Sequence, residues 1–184
     1  MILPILKFPD KRLRTKANKV ETVDNEIKTM VKNMFETMYA SDGIGLAATQ
    51  VDQHLRVVVM DVPDSGGDYQ LLLKNRENKR SKPLAEKHPL CFINPMITQK
   101  DGKETHSEGC LSIPGYYAEV ERFNHIVIEA LDENGKTFTL EAHNLLAVCI
   151  QHELDHLQGI LFVDYLSKLK QKRLLEKIKK SDKS

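Results

Sequence analysis

From residue 24 the chain carries a clear helical period. Ile27, Met30, Val31, Met34, Phe35 and Met38 fall at i, i+3, i+4, i+7, i+8 and i+11, one apolar stripe on an amphipathic helix. Asp24 is the expected N-cap and Gly43 the expected stop. A Met-bearing stripe of this kind reads as core packing. Residues 1–20 have no period and read as an irregular arm, with a short helical turn at 10–14. Arg56 to Asp61 (RVVVMD) reads as a strand. Residues 63–90, with Pro63, Ser65-Gly66-Gly67 and a charged run, read as a solvated excursion. Leu90 to Pro95 is strand-like and is followed by an expected turn at Asp101-Gly102. Glu104–Ser112, Tyr117–Arg122 and His125–Leu131 are further strands, and Glu133-Asn134-Gly135 predicts a hairpin into Thr137–Glu141. Leu145 to Ile150 is apolar on every face, so the helix it opens runs through a core and ends at Gly159. Leu169, Leu174, Leu175 and Ile178 among lysines give a basic C-terminal helix over 165–184. Many short strands beside helices that do not alternate with them imply an α+β fold, mainly antiparallel, in a single domain spanning 1–184.

Composition narrows the class. A chain of 184 residues, 41% hydrophobic and 29% charged, can bury a real core. No apolar run nears the roughly 18 residues that a bilayer span needs. Pro4 and Pro9 break the apolar start too early for a signal peptide. Three cysteines are too few for a disulfide framework and imply reduced thiols in a cytoplasmic protein. The net charge of +1 hides an asymmetry. Residues 168–184 hold eight of the 27 basic and two of the 26 acidic residues, so a tail near +6 follows a body near −5.

The candidate chemistry centres on Gln151-His152-Glu153-Leu154-Asp155-His156. Two histidines four apart on a helix point the same way and can hold one metal ion. Glu153 sits where it can reach a metal-bound water without ligating. His-Glu-x-x-His on a helix is a signature of metal-assisted hydrolysis. A hydrolytic metal usually has a third protein ligand. The metzincin extension is excluded because Phe162 stands at its third histidine position. Glu176, a downstream carboxylate, lies on a basic segment and reads as solvated. Cys149 and Cys91 lie in apolar surroundings and read as inert buried thiols. Cys110, in Glu108-Gly109-Cys110-Leu111-Ser112-Ile113-Pro114, follows a glycine, precedes a strand-ending proline and would complete a His2Cys set. A zinc peptidase and a protein with a purely structural metal stay open on these residues alone. Gly43-Ile44-Gly45-Leu46-Ala47-Ala48-Thr49-Gln50 formally matches a dinucleotide fingerprint. That fingerprint must follow a strand and open a helix, and this stretch follows a helix and leads to a strand.

GIGLAATQ (43–50), EGCLS (108–112) and QHELDH (151–156), in that order, resemble the peptide deformylase family across most of residues 1–175. The resemblance implies antiparallel sheets packed around the motif helix. It also implies removal of the N-formyl group from formylmethionyl nascent polypeptides, with release of formate. The metal ligands would be Cys110, His152 and His156, and the ion Fe2+, with Zn2+, Ni2+ or Co2+ as substitutes. Glu153 would act as general base and then acid. Gln50 and the Leu111 N–H would meet the oxyanion. Ile44, Leu145, Val148 and Cys149 would wall the methionine slot, with Gly45 offering backbone bonds to an extended peptide. Two readings of Glu108 stay open: a pair with Arg122 that fixes the Cys110 loop, or an exposed strand carboxylate. The basic tail reads as a terminal helix with a solvated face, and contact with ribosomal RNA, drawn by phosphate, is the sharper alternative. Two departures from the family pattern are a longer 63–90 excursion and Gly115-Tyr116-Tyr117 after EGCLSIP, where many bacterial members carry a basic residue.

Overall fold

The computed structural model describes residues 1–62, 69–72 and 89–181, with backbone alone for 69–72, 179 and 181. Its first long element, α1 (Asn25–Ala40), starts where Asp24 accepts a hydrogen bond from the Ile27 N–H at 2.9 Å. Ile27, Val31, Met34 and Met38 of the stripe are buried, and Met30 and Phe35 are half-buried against the same cluster. The helix stops earlier than Gly43 suggests. Asp42 takes the left-handed conformation (φ 52°), and the Gly43 N–H bonds back to the Met38 carbonyl at 3.0 Å.

Among the described residues six strands form one antiparallel sheet: β1 (Gly45–Ala47), β2 (Val57–Met60), β3 (Tyr69–Leu72), β4 (Leu90–Cys110), β5 (Ile113–Leu131) and β6 (Thr137–His143), in the order β1-β2-β4-β5-β6-β3. The strands around residues 90–131 differ from expectation. Asp101-Gly102 does not reverse the chain. Asp101 pairs with His125 inside one 21-residue strand, and Gly102 holds φ 63° there. Likewise the segments ending at Arg122 and starting at His125 are one strand, β5. The reversal comes at Leu111-Ser112, and Pro114 lies inside β5 rather than ending a strand. Register shifts at Ile93/Met96 and Ile97/Gln99 bend this ribbon. The Glu133–Gly135 hairpin forms as expected, with Gly135 at φ 76°. Within the 63–90 excursion, Tyr69–Leu72 is a strand paired with β6; the charged run lies outside the described residues.

The second helix, α2 (Asn144–Leu157), packs against β1, β2, β5 and β6. Leu146, Ala147, Cys149, Ile150 and Leu157 join Val58, Met60, Phe92, Ile126, Ile128 and Leu140 in the main core. The chain leaves α2 through Gly159 (φ 73°), where a β-carbon would lie 2.4 Å from the Arg14 carbonyl oxygen. Only glycine satisfies both the backbone angle and that contact. The last helix, α3 (Lys168–Ser181), docks through Leu174 and Ile178 on a cluster containing Leu13, Ile113, Val120 and Phe162. Lys168, Lys170, Lys172, Arg173, Lys177 and Lys180 are exposed on it. The fold is therefore α+β, as expected. Among the described residues no helix is long and apolar enough to cross a membrane.

Candidate active site

The tight reversal that closes the β4–β5 ribbon presents Cys110 to the buried face of α2. Cys110 Sγ lies 3.2 Å from His156 Nε2, and one donor atom each of Cys110, His152 and His156 lie within 4.8 Å of one another. Both histidines are buried, as the four-residue spacing on a core helix requires. His152 Nδ1 is 2.8 Å from Glu108 Oε2, which leaves Nε2 directed away from that carboxylate and available as a ligand. The Glu108–Arg122 pair is present and buried. Arg122 donates to both Glu108 oxygens, at 2.6 and 3.0 Å, and through Nη1 to Asp155 Oδ2 at 2.6 Å. The Tyr165 hydroxyl donates to the same Asp155 oxygen at 2.8 Å, and the guanidinium lies 4.9 Å over the Tyr165 ring. A continuous chain thus runs Asp155–Arg122–Glu108–His152.

Charges follow from these neighbours. Burial alone would raise the Glu108 carboxyl, but His152 and Arg122 outweigh it and hold it below its ordinary value. Burial, with the positive charge of its neighbours, pushes His156 well below its ordinary value and keeps the ring neutral. Glu153 has no such cationic clamp. Burial pushes it up to about 7, and its Oε2 is buried with no hydrogen-bond partner. A partnerless buried carboxylate oxygen is costly unless something polar meets it. A cation beside it would draw the group back toward the ionised form. The donor set, the oriented His152 ring and this orphaned oxygen all fit a divalent metal ion with a water next to Glu153.

The N-terminal arm, read from sequence as irregular, fixes the other side of the site. The Leu6 N–H bonds to the Gln50 carbonyl and the Phe8 N–H to the Ser112 carbonyl, both at 2.8 Å; Lys7 Nζ reaches the Leu111 carbonyl at 2.6 Å. The arm therefore ties the Gln50 loop to the Cys110 reversal. Gln50 is buried; its Oε1 accepts from the Ala47 N–H at 2.8 Å, which turns Nε2 toward Ser112 Oγ (3.1 Å) and Cys110 Sγ (3.5 Å). Gly45 backs onto the carboxylate: a β-carbon there would lie 2.4 Å from Glu153 Oε1 and 2.9 Å from Cys149 Sγ.

The comparison with known sequences is decisive at this point: the model of the polypeptide deformylase family matches residues 2–172. The chain belongs to the peptide deformylase family. Peptide deformylases from Neisseria gonorrhoeae and Chromohalobacter salexigens are 53% and 54% identical to it, over 99% and 97% of this chain and 97% and 94% of theirs. Among solved structures, a peptide deformylase of Ehrlichia chaffeensis superposes with TM-score 0.84 at 42% identity, covering 99% of this chain and 97% of that one. The same enzyme in complex with actinonin superposes with TM-score 0.85 at 41% identity, covering 100% and 99%. Family membership makes this chain an enzyme of the deformylase type, a hydrolase.

Set beside this deformylase fold, the expected residues fall into two groups. Cys110, His152, His156, Glu153 and Gln50 converge, with Leu111 next to Cys110 in the reversal. Ile44, Gly45 and Cys149 also meet, with Cys149 Sγ 3.8 Å from the Ile44 carbonyl. Burial raises the Cys149 thiol well above its ordinary value, in keeping with an inert apolar role. Leu145 (exposed) and Val148 (buried) share the Cys149 and His152 side of α2 by helical spacing. Ser112, Asp155, Tyr165 and Lys7 went unnoticed in the sequence, since each acts through a partner far away in the chain. Phe162, useful there only as the residue that excludes a metzincin, stacks on the His152 ring at 6.2 Å between centroids.

Proposed function

We propose that the chain, acting as one catalytic unit over 1–184, removes the formyl group from N-terminal formylmethionine of nascent polypeptides and releases formate. The observation that carries this reading is the convergence of Cys110, His152 and His156 beside a buried Glu153 whose Oε2 has no partner. Cys110, His152 and His156 would hold one divalent ion, Fe2+ in the cell and Zn2+, Ni2+ or Co2+ in its place. Such an ion, when bound, supplies Lewis acidity and an activated water for formamide hydrolysis.

The protein's own residues do the rest. Glu153 takes the proton of the attacking water and passes it to the departing α-amine, general base first and general acid second. Gln50 Nε2 donates to the developing oxyanion by giving up its long contact with Cys110 Sγ, while its second N–H stays on Ser112. With the Leu111 N–H as a second donor, each is worth about 3 kcal/mol of barrier. Glu108, held by Arg122, fixes the His152 tautomer. The Gly45 backbone would bind the peptide as an added strand beside β1, and Ile44, Leu145, Val148 and Cys149 would line the methionine slot. The exposed basic face of α3 favours attraction to ribosomal RNA at the point where substrates emerge, in the cytoplasm.

The test is formate release from a formyl-Met peptide by anaerobically prepared Fe2+ protein beside Glu153→Ala. Fast release by the first and almost none by the second, with metal still bound in both, is expected. A folded, fully metallated wild type that releases no formate would overturn the assignment.

A further inference from the structure

A second group of metal-ligating side chains stands on the face of the sheet turned away from the core. β5 and β6 pair with His125 directly opposite His143, and Glu141 shares their face by strand alternation. The intervening Ile126, Leu140 and Ala142 point the other way, into the core. His125 Nε2 lies 2.8 Å from Glu141 Oε1, and His143 Nε2 lies 3.8 Å from the same oxygen. One donor atom of each residue lies within 4.8 Å of the others, and the two rings are stacked at 4.6 Å between centroids. On the next strand, Asp101 sits opposite His125 and places Oδ2 3.0 Å from its Nδ1.

We infer that His125, Glu141 and His143 form a second metal site on the outer sheet face, taking a borderline divalent transition-metal ion of the Zn2+ class. Two imidazoles and one carboxylate are the donors such ions prefer, whereas Mg2+ and Ca2+ favour oxygen alone. Asp101 supplies the independent support. Both ring nitrogens of His125 face carboxylate oxygens; a metal ion would displace the Nε2 proton, while Asp101 keeps accepting from Nδ1–H, the carboxylate–histidine arrangement that orients metal-bound rings. A surface ion pair would need only His125 between Asp101 and Glu141; it has no use for His143 against an oxygen already engaged. Bonds of about 2.1 Å in a tetrahedral site separate donors by about 3.4 Å. Rotation of the half-exposed His143 ring shortens its 3.8 Å distance, a small turn of the Glu141 carboxylate opens the 2.8 Å one, and the open side leaves room for water.

The position gives the site a consequence. His143 is the residue before α2; its side chain makes no capping bond, and Asn144 after it holds a left-handed φ of 50°. A cation gripping His143 ties the start of α2 to β5. His152 lies nine residues further along the same helix, about 13 Å away, so the two sites are separate.

Equilibrium dialysis against micromolar free Zn2+, with zinc counted per chain, tests the inference. The wild type should hold one zinc more than His143→Gln and one more than Glu141→Gln. His54→Gln, which alters a histidine beside a single carboxylate, should match the wild type. Asp101→Asn should weaken the outer zinc roughly 10–100-fold. All comparisons are differences between folded variants, so they hold whatever the Cys110 site binds. Equal zinc in the wild type, His143→Gln and Glu141→Gln would reduce the trio to an ion pair and overturn the site.

Discussion

Arg122 is the residue whose loss should reveal how the site is held. In Arg122→Ala, Glu108 loses two hydrogen bonds and Asp155 one, at positions where the Arg122 and Glu108 side chains are 5% and 4% exposed. Asp155, 18% exposed, can turn to water; Glu108 cannot. Removing one partner of a buried pair costs about 3–5 kcal/mol, because the remaining charge stays desolvated. For a domain of this size that corresponds to a fall of roughly 6–20 °C in Tm. The second effect falls on His152. Glu108 without Arg122 keeps only its bond to His152 against burial, is held less firmly in the ionised form, and fixes the His152 Nδ1 proton less well. Metal affinity should drop roughly 10–100-fold, as for other losses of this supporting contact. Thermal unfolding of metal-free protein gives the first number and chelator competition the second. The double variant Arg122→Met with Glu108→Gln removes both charges, so it should regain most of the stability and little of the affinity. An Arg122→Ala protein with Tm, metal affinity and activity all unchanged would refute the argument that this pair positions His152.

Two further outcomes follow from Glu153 and its neighbour. In metal-free protein, Glu153 titrates near 7 when folded and near 4.5 when unfolded. Its contribution is therefore fully present below the unfolded value and is lost as pH rises through about 7, a swing of at most about 3 kcal/mol. Urea unfolding should show that swing between pH 4.5 and 8 in the wild type and a flatter profile in Glu153→Gln; parallel profiles would count against a carboxyl raised by burial. Gly45→Ala places a methyl 2.4 Å from Glu153 Oε1 and 2.9 Å from Cys149 Sγ. The carboxylate must shift by about 1 Å, which typically costs on the order of 100-fold in rate. Steady-state kcat/KM on a formyl-Met peptide should fall that far with circular dichroism unchanged, and adding Cys149→Ala should restore part of it. Full activity in Gly45→Ala would show that the carboxylate has slack.

What the sequence reveals and what it conceals divide along the range of the interaction. The stripe and cap of α1, the Glu133–Gly135 hairpin and the paired histidines of α2 are each specified within a few turns or residues, so they were legible. Asp101-Gly102 misleads for the opposite reason. As a dipeptide it favours reversal, but here its neighbours pair along the whole of β5, and Gly102 uses its freedom to sit at φ 63° across from Asn124 inside the strand. Cys110 could be proposed as a ligand from its glycine-flanked setting and from the family pattern. Only the ribbon that reverses at Leu111-Ser112 brings it 3.2 Å from a histidine 46 residues away. The same reach explains why the arm at Leu6–Phe8 gave no signal: its bonds go through backbone groups to Gln50 and Ser112, and backbone groups have no sequence. Asp155 shows the limit most sharply. It lies inside the motif itself, one turn from His152, yet its partner is Arg122 on another strand, so nothing local distinguishes it from a solvated helix carboxylate. Residues that touch the reaction are thus recognisable by chemical type and spacing. Those that hold them in place are selected by a topology that must be seen before they can be named.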